Sequence, residues 1–246
     1  MFNSVLDTPF FSDIEISDRA FVESFFTERI YRKYQVVFYQ NDPANEMYFV
    51  KSGVLKIYRE DDHNEIVLGH QFPGESIGEL EAIHHDNHRL ASVAAIENSV
   101  LWMIRKPDLE QLMSLYPSLL RKFFFVMAER LRQADSKISY LAFLDARFRV
   151  VNLLLDLHTN FGSKAEEGIL INWKITQTHF ANMIGISRES AARTLQELQK
   201  DRIISIKDKY ITILNLLALQ EMSGQIQQSQ NLREWHSTYR YDTNIL

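Results

Sequence analysis

The stretch GISRESAARTLQEL, Gly185 to Leu198, puts Arg188, Glu189 and Arg193 close together beside a row of small residues. At about 100° per residue on a helical wheel, Ala191, Leu195 and Leu198 fall on one side. Glu189, Ala192, Arg193 and Gln196 fall on the other, and Arg188 stands at the helix start, at the edge of the stripe. The first set reads as a core stripe, and the second is free to meet something outside the protein. Upstream, Gln177, Ala181 and Gly185 are spaced by four, and Ser187 follows. Ala181 is small where two helices cross closely. Gly185 can take the positive φ of a tight turn, and Ser187 is a good N-cap for a helix beginning at Arg188. This pattern predicts a helix-turn-helix. The segment RIISIKDKYITIL after it predicts a hairpin, which makes the unit winged.

The chemistry of the exposed face follows. The first turns of a recognition helix enter the major groove of double-stranded DNA. Arginine offers a donor fork to guanine O6 and N7, and glutamate accepts from cytosine N4. Arg188, Glu189 and Arg193 are therefore candidate base readers. The Ser187 hydroxyl and the helix N-terminus can sit on a phosphate, and Thr176 and Ser190 join them as candidate DNA-binding residues. The competing reading is a solvated helix face with local ion pairs.

Composition bounds the rest. The chain has 246 residues, room for one large domain or two ordinary ones. It has no cysteine, which excludes disulfides, cysteine-ligated zinc, iron–sulfur clusters and a thiol nucleophile. The net charge of −5 is unevenly spread. Lys174 to Ile213 carries seven Lys/Arg against four Asp/Glu, and Met1 to Trp173 carries eighteen against twenty-five. The helix-turn-helix region is thus a basic island. No apolar run is long enough to span a bilayer, and the acidic N-terminus lacks the basic n-region of a secretory signal. A cytoplasmic protein with no membrane partner is expected.

Four regions are expected along the chain. Residues 1–116 read as a sensor domain. MYFV, VLKIY, EIVLGHQF and SVLWMI are strand-like, separated by turn signals NDP, KSG and PG, which predicts an antiparallel barrel or roll. Residues 117–145 form a long helix. Its Leu120, Phe124, Met127, Leu131, Ala134, Ile138 and Leu141 alternate spacings of four and three for three heptads. That spacing predicts a dimer seam; the alternative is packing on the protein's own domain, to which Phe123, Phe125 and Val126 add apolar surface. Residues 146–222 hold the helix RFRVVNLLLDLHTNF, the polar loop GSKAEEG, the strand ILINW and the winged helix-turn-helix. Residues 223–246 read as a polar tail. The fold class is α+β.

The segment FPGESIGELEAIHHDNHR raises a second question. Gly74 and Gly78 allow close backbone approach, Glu79 accepts hydrogen bonds, and Arg89 can pair with an anion. Together they suit a phosphorylated ribose. Equally, Gly78 can make a turn while Glu79 pairs with Arg89 inside the roll. His84, His85, Asp86 and His88 have metal-ligand-like spacing, but a polar loop explains them as well, and no metal is expected. No nucleophile–base–orienter set suggests catalysis, so no enzyme is predicted.

At these residues the sequence resembles the cyclic-AMP receptor protein/FNR family of bacterial transcription regulators, over about residues 20–215. ISRESAAR is similar to the family's recognition-helix segment. LAFLDARFRVVNLLLDL is similar to its hinge and the helix opening its DNA-binding domain. Gly78-Glu79-Leu80 with Arg89 resembles its cyclic-nucleotide cassette. The resemblance implies a β-roll of the cyclic-nucleotide-binding type (a double-stranded β-helix), a long dimerisation helix and a winged helix-turn-helix. It also implies a homodimer reading a TGTGA-like inverted repeat and contacting RNA polymerase. By that analogy Glu79 holds a ribose hydroxyl and Arg89 a cyclic phosphate. Arg188 places the chain with the cyclic-AMP receptor branch, since the FNR branch has an apolar residue there and Ser where Ala192 stands. Two departures count against cyclic AMP. Leu90 stands where cyclic-AMP binders have Ser after the arginine, and Ala134 and Asp135 replace the Thr-Ser pair that addresses adenine. A different small-molecule effector, or none, is therefore expected. The alternative function is a cyclic-nucleotide-binding regulatory subunit whose C-terminal domain binds protein.

Overall fold

The computed structural model describes residues 2–62, 64–83 and 87–223. These divide into two compact units. The first holds residues 2–59 and 68–134, and the second holds residues 60–67 and 135–223.

In the first unit a single helical turn, Val5–Asp7, and a short helix α1, Arg19–Glu23, precede the strands β1 (Phe26–Tyr31), β2 (Val36–Phe38), β3 (Glu46–Ser52), β4 (Leu55–Glu60), β5 (Glu65–Gln71) and β6 (Ser76–Ile77). After helix α2 (Glu79–Ile83) come β7 (Ser92–Ala95) and β8 (Ser99–Arg105), then α3 (Lys106–Leu115) and α4 (Ser118–Phe143); the end of β4, the start of β5 and residues 135–143 of α4 belong to the second unit. Two four-stranded antiparallel sheets result, ordered β1-β8-β3-β6 and β2-β7-β4-β5. The order is non-sequential, as the predicted roll requires.

Strand alternation puts two cores on opposite sides of β3 and β8. Tyr48, Val50, Leu101 and Met103 face the interior between the sheets, with Phe38, Leu55, Ile77 and Val93. Phe49, Trp102 and Ile104 face outward and are covered by Phe10 and Phe11, by Leu109 and Leu112 of α3, and by Leu119, Phe123 and Val126 of α4. Phe10 packs edge-on against Phe49 and Phe123, with both ring centroids 5.0 Å away. Fully burying each such ring contributes up to about 3 kcal/mol. The acidic N-terminus therefore carries two phenylalanines into the core, and Phe123 and Val126 do pack inward beside the heptad positions.

The second unit contains α5 (Ala146–Phe161), β9 (Gly162–Ala165), β10 (Gly168–Ile171), α6 (Gln177–Ile184), α7 (Arg188–Lys200), β11 (Ile204–Lys207), β12 (Tyr210–Ile213) and α8 (Leu216–Met222). Its antiparallel sheet runs β11-β12-β10-β9. Asp145 caps α5 by accepting from the Phe148 N–H at 2.9 Å. One face of α5 (Val150, Leu154, Leu157) meets Phe180 and Ile184 of α6, Ala191, Leu195 and Leu198 of α7, and Ile211 and Ile213 of the sheet.

GSKAEEG, expected as a loop, forms β9 and the turn after it. β9 is almost wholly exposed, so no apolar alternation marks it. Its backbone pairing with β10 alone makes it a strand. The polar tail beyond Ser223 lies outside the described residues, as do His84, His85 and Asp86.

Candidate DNA interface and effector pocket

The turn between α6 and α7 sets the recognition helix. Thr176 caps α6, accepting from the His179 N–H at 3.1 Å. Gly185 ends it with φ 61° and ψ 47°, the left-handed region. Ser187 then caps α7, its Oγ accepting from the Ser190 N–H at 3.1 Å. A hydroxyl engaged in this way fixes the helix start but is already committed, so a phosphate there would share Ser187 with the cap.

Around α7 the predicted sidedness is found. Ala191, Thr194, Leu195 and Leu198 are buried, while Arg188, Glu189, Arg193 and Gln196 are exposed. Arg188, Glu189 and Arg193 make no hydrogen bond or ion pair among the described residues. Local ion pairing therefore does not occupy this face. The ion pair on α7 is further along, Glu197 with Arg147 of α5 at 2.8 Å. The hairpin β11–β12 turns through Asp208 and Lys209, both at positive φ. The wing tip thus carries Lys207 and Lys209, exposed at its end.

In the first unit Arg89 lies directly against Gly78. The φ of Gly78 is +81°, and a Cβ there would lie 2.5 Å from Arg89 Nη1. Only glycine admits both the backbone shape and the guanidinium. Arg89 is 1% exposed. Its Nη2 donates to the Glu46 carbonyl at 2.7 Å, and its plane lies 4.0 Å from the Phe38 ring centroid. Glu81 Oε2 stands 3.9 Å from Nη1. Yet Arg89 Nε and Nη1, Glu79 Oε2 and Ser76 Oγ are buried without a hydrogen-bond partner among the described residues. Unpaired buried polar atoms are costly, of order 1–3 kcal/mol each. The two unpartnered nitrogens of this buried cation could take an anion, and the unpartnered Glu79 oxygen could accept from a hydroxyl on it, which makes this cluster the candidate effector socket.

Glu79 and Arg89 do not pair with each other, so the bland alternative of an internal bridge between them fails. Glu79 Oε1 instead accepts from Arg130 Nε of α4 at 3.0 Å, and Arg130 Nη2 also donates to Gln71 Oε1 and the Ser76 carbonyl. Among the expected helix residues, Ala134 and Asp135 are exposed, and the side chain that reaches Glu79 is Arg130, one turn earlier. Leu80 and Leu90 are exposed too; Leu90 contributes its N–H, which donates to Glu81 Oε1 at 2.9 Å. Sequence reading missed Arg130, Glu46 and Glu81. Glu46 and Arg130 reach Arg89 and Glu79 from other parts of the unit, so no local pattern marks them, whereas Glu81 lies on α2 itself, two residues after Glu79.

On α4, Leu120, Phe124, Leu131 and Ile138 stand exposed, Phe124 at 78% and Leu131 at 73%. Met127 is half-buried and Ala134 exposed. Leu141 departs from the row: a Cβ at Gly185 would lie 3.2 Å from its Cδ2.

Lys137, on the same helix, is half-buried, and the loss of water around its ammonium lowers its pKa to about 8, against an opposing pull from Asp156. The neutral form is the one folding prefers. Between about pH 8 and 10.5 the unfolded lysine is still protonated and the folded one is not, so this residue makes stability rise with pH there. Thermal unfolding of the parent and of Lys137→Met across pH 7.5–10 should show a rise in the parent that the variant lacks.

Two family models match the chain. The cyclic nucleotide-binding domain covers residues 28–116 and the Crp-like helix-turn-helix domain residues 148–222. The CRP-like protein Clp of Xanthomonas campestris pv. campestris (strain B100) is 31% identical over 209 residues, covering 80% of this chain and 89% of that protein. The chain belongs to the cyclic-AMP receptor protein/FNR family. Members of this CRP/FNR family are DNA-binding transcription regulators rather than enzymes. The Cyclic AMP receptor protein of Thermus thermophilus is 27% identical over 217 residues, 88% of this chain and 97% of that one. A solved structure of Xanthomonas campestris CLP, described as a c-di-GMP responsive global regulator, superposes with a TM-score of 0.72 at 29% identity. It covers 78% of this chain and 95% of its own. This CRP/FNR chain is therefore a CRP/FNR-type DNA-binding transcription regulator, and among its described residues no helix is long and apolar enough to cross a membrane.

Proposed function

We propose that this regulator works as a cytoplasmic homodimer that reads a TGTGA-like inverted repeat, with Arg188, Glu189 and Arg193 as its base-reading side chains. The observation that carries this is their exposure on α7, directly after the Gly185 turn and without side-chain partners among the described residues. Ser187, Ser190, Thr176 and the wing lysines serve the phosphates. RNA polymerase is the expected protein partner, by family analogy. Selection from random duplexes should return a G·C-containing half-site, and binding should weaken steeply with salt. An A/T-only motif, or binding indifferent to salt, contradicts the reading.

The effector socket suits an anion with a hydroxyl, but not the whole of cyclic AMP. Arg89 and Glu79 can take a phosphate and a ribose hydroxyl. Leu90 supplies no side-chain hydroxyl, and Ala134 offers nothing to a base edge. Two or three missing hydrogen bonds at about 0.5–1.5 kcal/mol each weaken binding by roughly one to three decades. A ligand shifts a two-state equilibrium only by its differential affinity, so DNA binding should not depend on cyclic AMP. Calorimetry and DNA titration with cyclic AMP are the test, with c-di-GMP as a second arm because the Xanthomonas relative is described as responsive to it. Micromolar cyclic-AMP binding with a tenfold or greater gain in DNA affinity restores the ordinary cyclic-AMP reading.

A further inference from the structure

The end of the long helix and the turn that aims the recognition helix share one guanidinium. Arg149, in the first turn of α5, donates from Nε to the Leu144 carbonyl at 2.8 Å and from Nη2 to the Leu141 carbonyl at 2.9 Å. Its Nη1 faces the Ile184 carbonyl at 3.3 Å and the Gly185 carbonyl at 3.4 Å. The first pair belongs to the C-terminal end of α4, the second to the C-terminal end of α6. The last carbonyls of a helix lack intrahelical partners and carry the negative end of its dipole. Here two such ends converge on a single cation. A second cation from α4, Lys137, donates to the Met183 carbonyl. All these residues lie in the second unit.

Packing reinforces the link. A Cβ at Gly185 would lie 3.2 Å from Leu141 Cδ2 and 3.6 Å from Ile66 Cδ1. The turn is thus bounded on its outer side by apolar atoms and tied at its carbonyls by Arg149 and Lys137. Two residues beyond Gly185, Ser187 starts α7. Small changes in the carbonyl positions of residues 183–185 therefore change the direction in which Arg188 and Glu189 leave the protein.

We propose that Arg149, assisted by Lys137, is a positioning residue for DNA recognition: it sets the recognition helix by fastening the α6–α7 turn to the end of the long helix. It touches no base and no phosphate, and acts through the turn. The proposal rests on the reading of α7 as the recognition helix. A lysine cannot replace Arg149, since one ammonium cannot reach four carbonyls that are spread across two helix ends.

The test uses the full chain, a duplex selected by the parent protein and a duplex with its preferred word scrambled. Arg149→Gln and Arg149→Lys should each bind the selected duplex at least tenfold more weakly, and the ratio of selected to scrambled affinity should fall. The slope of log affinity against log salt should stay that of the parent, because no phosphate contact is lost. Amide hydrogen exchange across residues 184–191 should quicken. A slope reduced by about one, with the ratio intact, makes Arg149 a direct phosphate ligand and overturns the proposal. So does a lower melting temperature whose folded fraction binds and discriminates as the parent does. Should both Arg149 variants fail to fold, Lys137→Met carries the test: a two- to fivefold loss with a reduced ratio is expected, and parental affinity and ratio refute the proposal. Absence of any selected word for the parent itself is the separate failure of the recognition-helix reading.

Discussion

In sedimentation, the Leu131→Asp protein is expected to run as a monomer at concentrations where the parent runs as a dimer. Leu131 is 73% exposed in the single chain, and Phe124 and Ile138 stand exposed one heptad to either side. Single exposed leucines are ordinary, but a row of them along two-thirds of a 26-residue helix is not. Pairing two copies of this helix would bury the row, and each fully buried Leu, Ile or Phe contributes about 1.5–3 kcal/mol. An aspartate at the middle of such a seam faces its symmetry mate across an apolar contact. Both carboxylates then lose water without gaining a partner, which costs several kcal/mol. Leu131→Met, close in volume, should remain dimeric. A dimeric Leu131→Asp protein would mean that the association surface lies elsewhere, and the exposed row on α4 would need another partner.

Arg193→Ala should cost about 1–3 kcal/mol of binding to the selected site, roughly five- to 150-fold, and should relax the preference at one base pair. Arg193 is exposed on α7 and unpaired among the described residues, so truncation removes no intramolecular bond. Thermal stability should stay within about 0.5 kcal/mol of the parent. The loss should fall on the preferred site far more than on scrambled DNA, because non-specific binding rests on phosphates. Equal affinity of parent and variant for the selected duplex would remove Arg193 from the base-reading set. A uniform loss on both duplexes would make it a phosphate contact.

Much of this was legible in the chain itself. The buried side of α7, the αL turn at Gly185 and the Ser187 cap are local, periodic or steric properties, carried within a dozen residues. The strands of the roll were legible for the same reason, through β-branched and aromatic runs between turns. β9 was not, because its residues are polar and only the neighbouring strand makes it one. The pocket was legible in part. Gly78 and Arg89 could be named as residue types suited to close approach and to an anion, and the resemblance of Gly78-Glu79-Leu80 with Arg89 to the family's cassette tied them together. What Glu79 meets could not be named. Spacing allowed a bridge to Arg89, whereas the fold sends it to Arg130, 51 residues along the chain.

The sequence by itself determined the type of the elements with an apolar period, the sidedness of the recognition helix and the absence of cysteine chemistry. These depend on covalent geometry, helical period and composition, which need no partner from afar. Only the tertiary structure decided where the charges go: Arg130 on Glu79, Arg89 with two nitrogens that lack a hydrogen-bond partner among the described residues, and Arg149 spanning two helix ends. An ion pair or a shared cap is a matter of a few ångströms between residues distant in sequence. No propensity encodes such a distance, because packing of the surrounding apolar cores sets it.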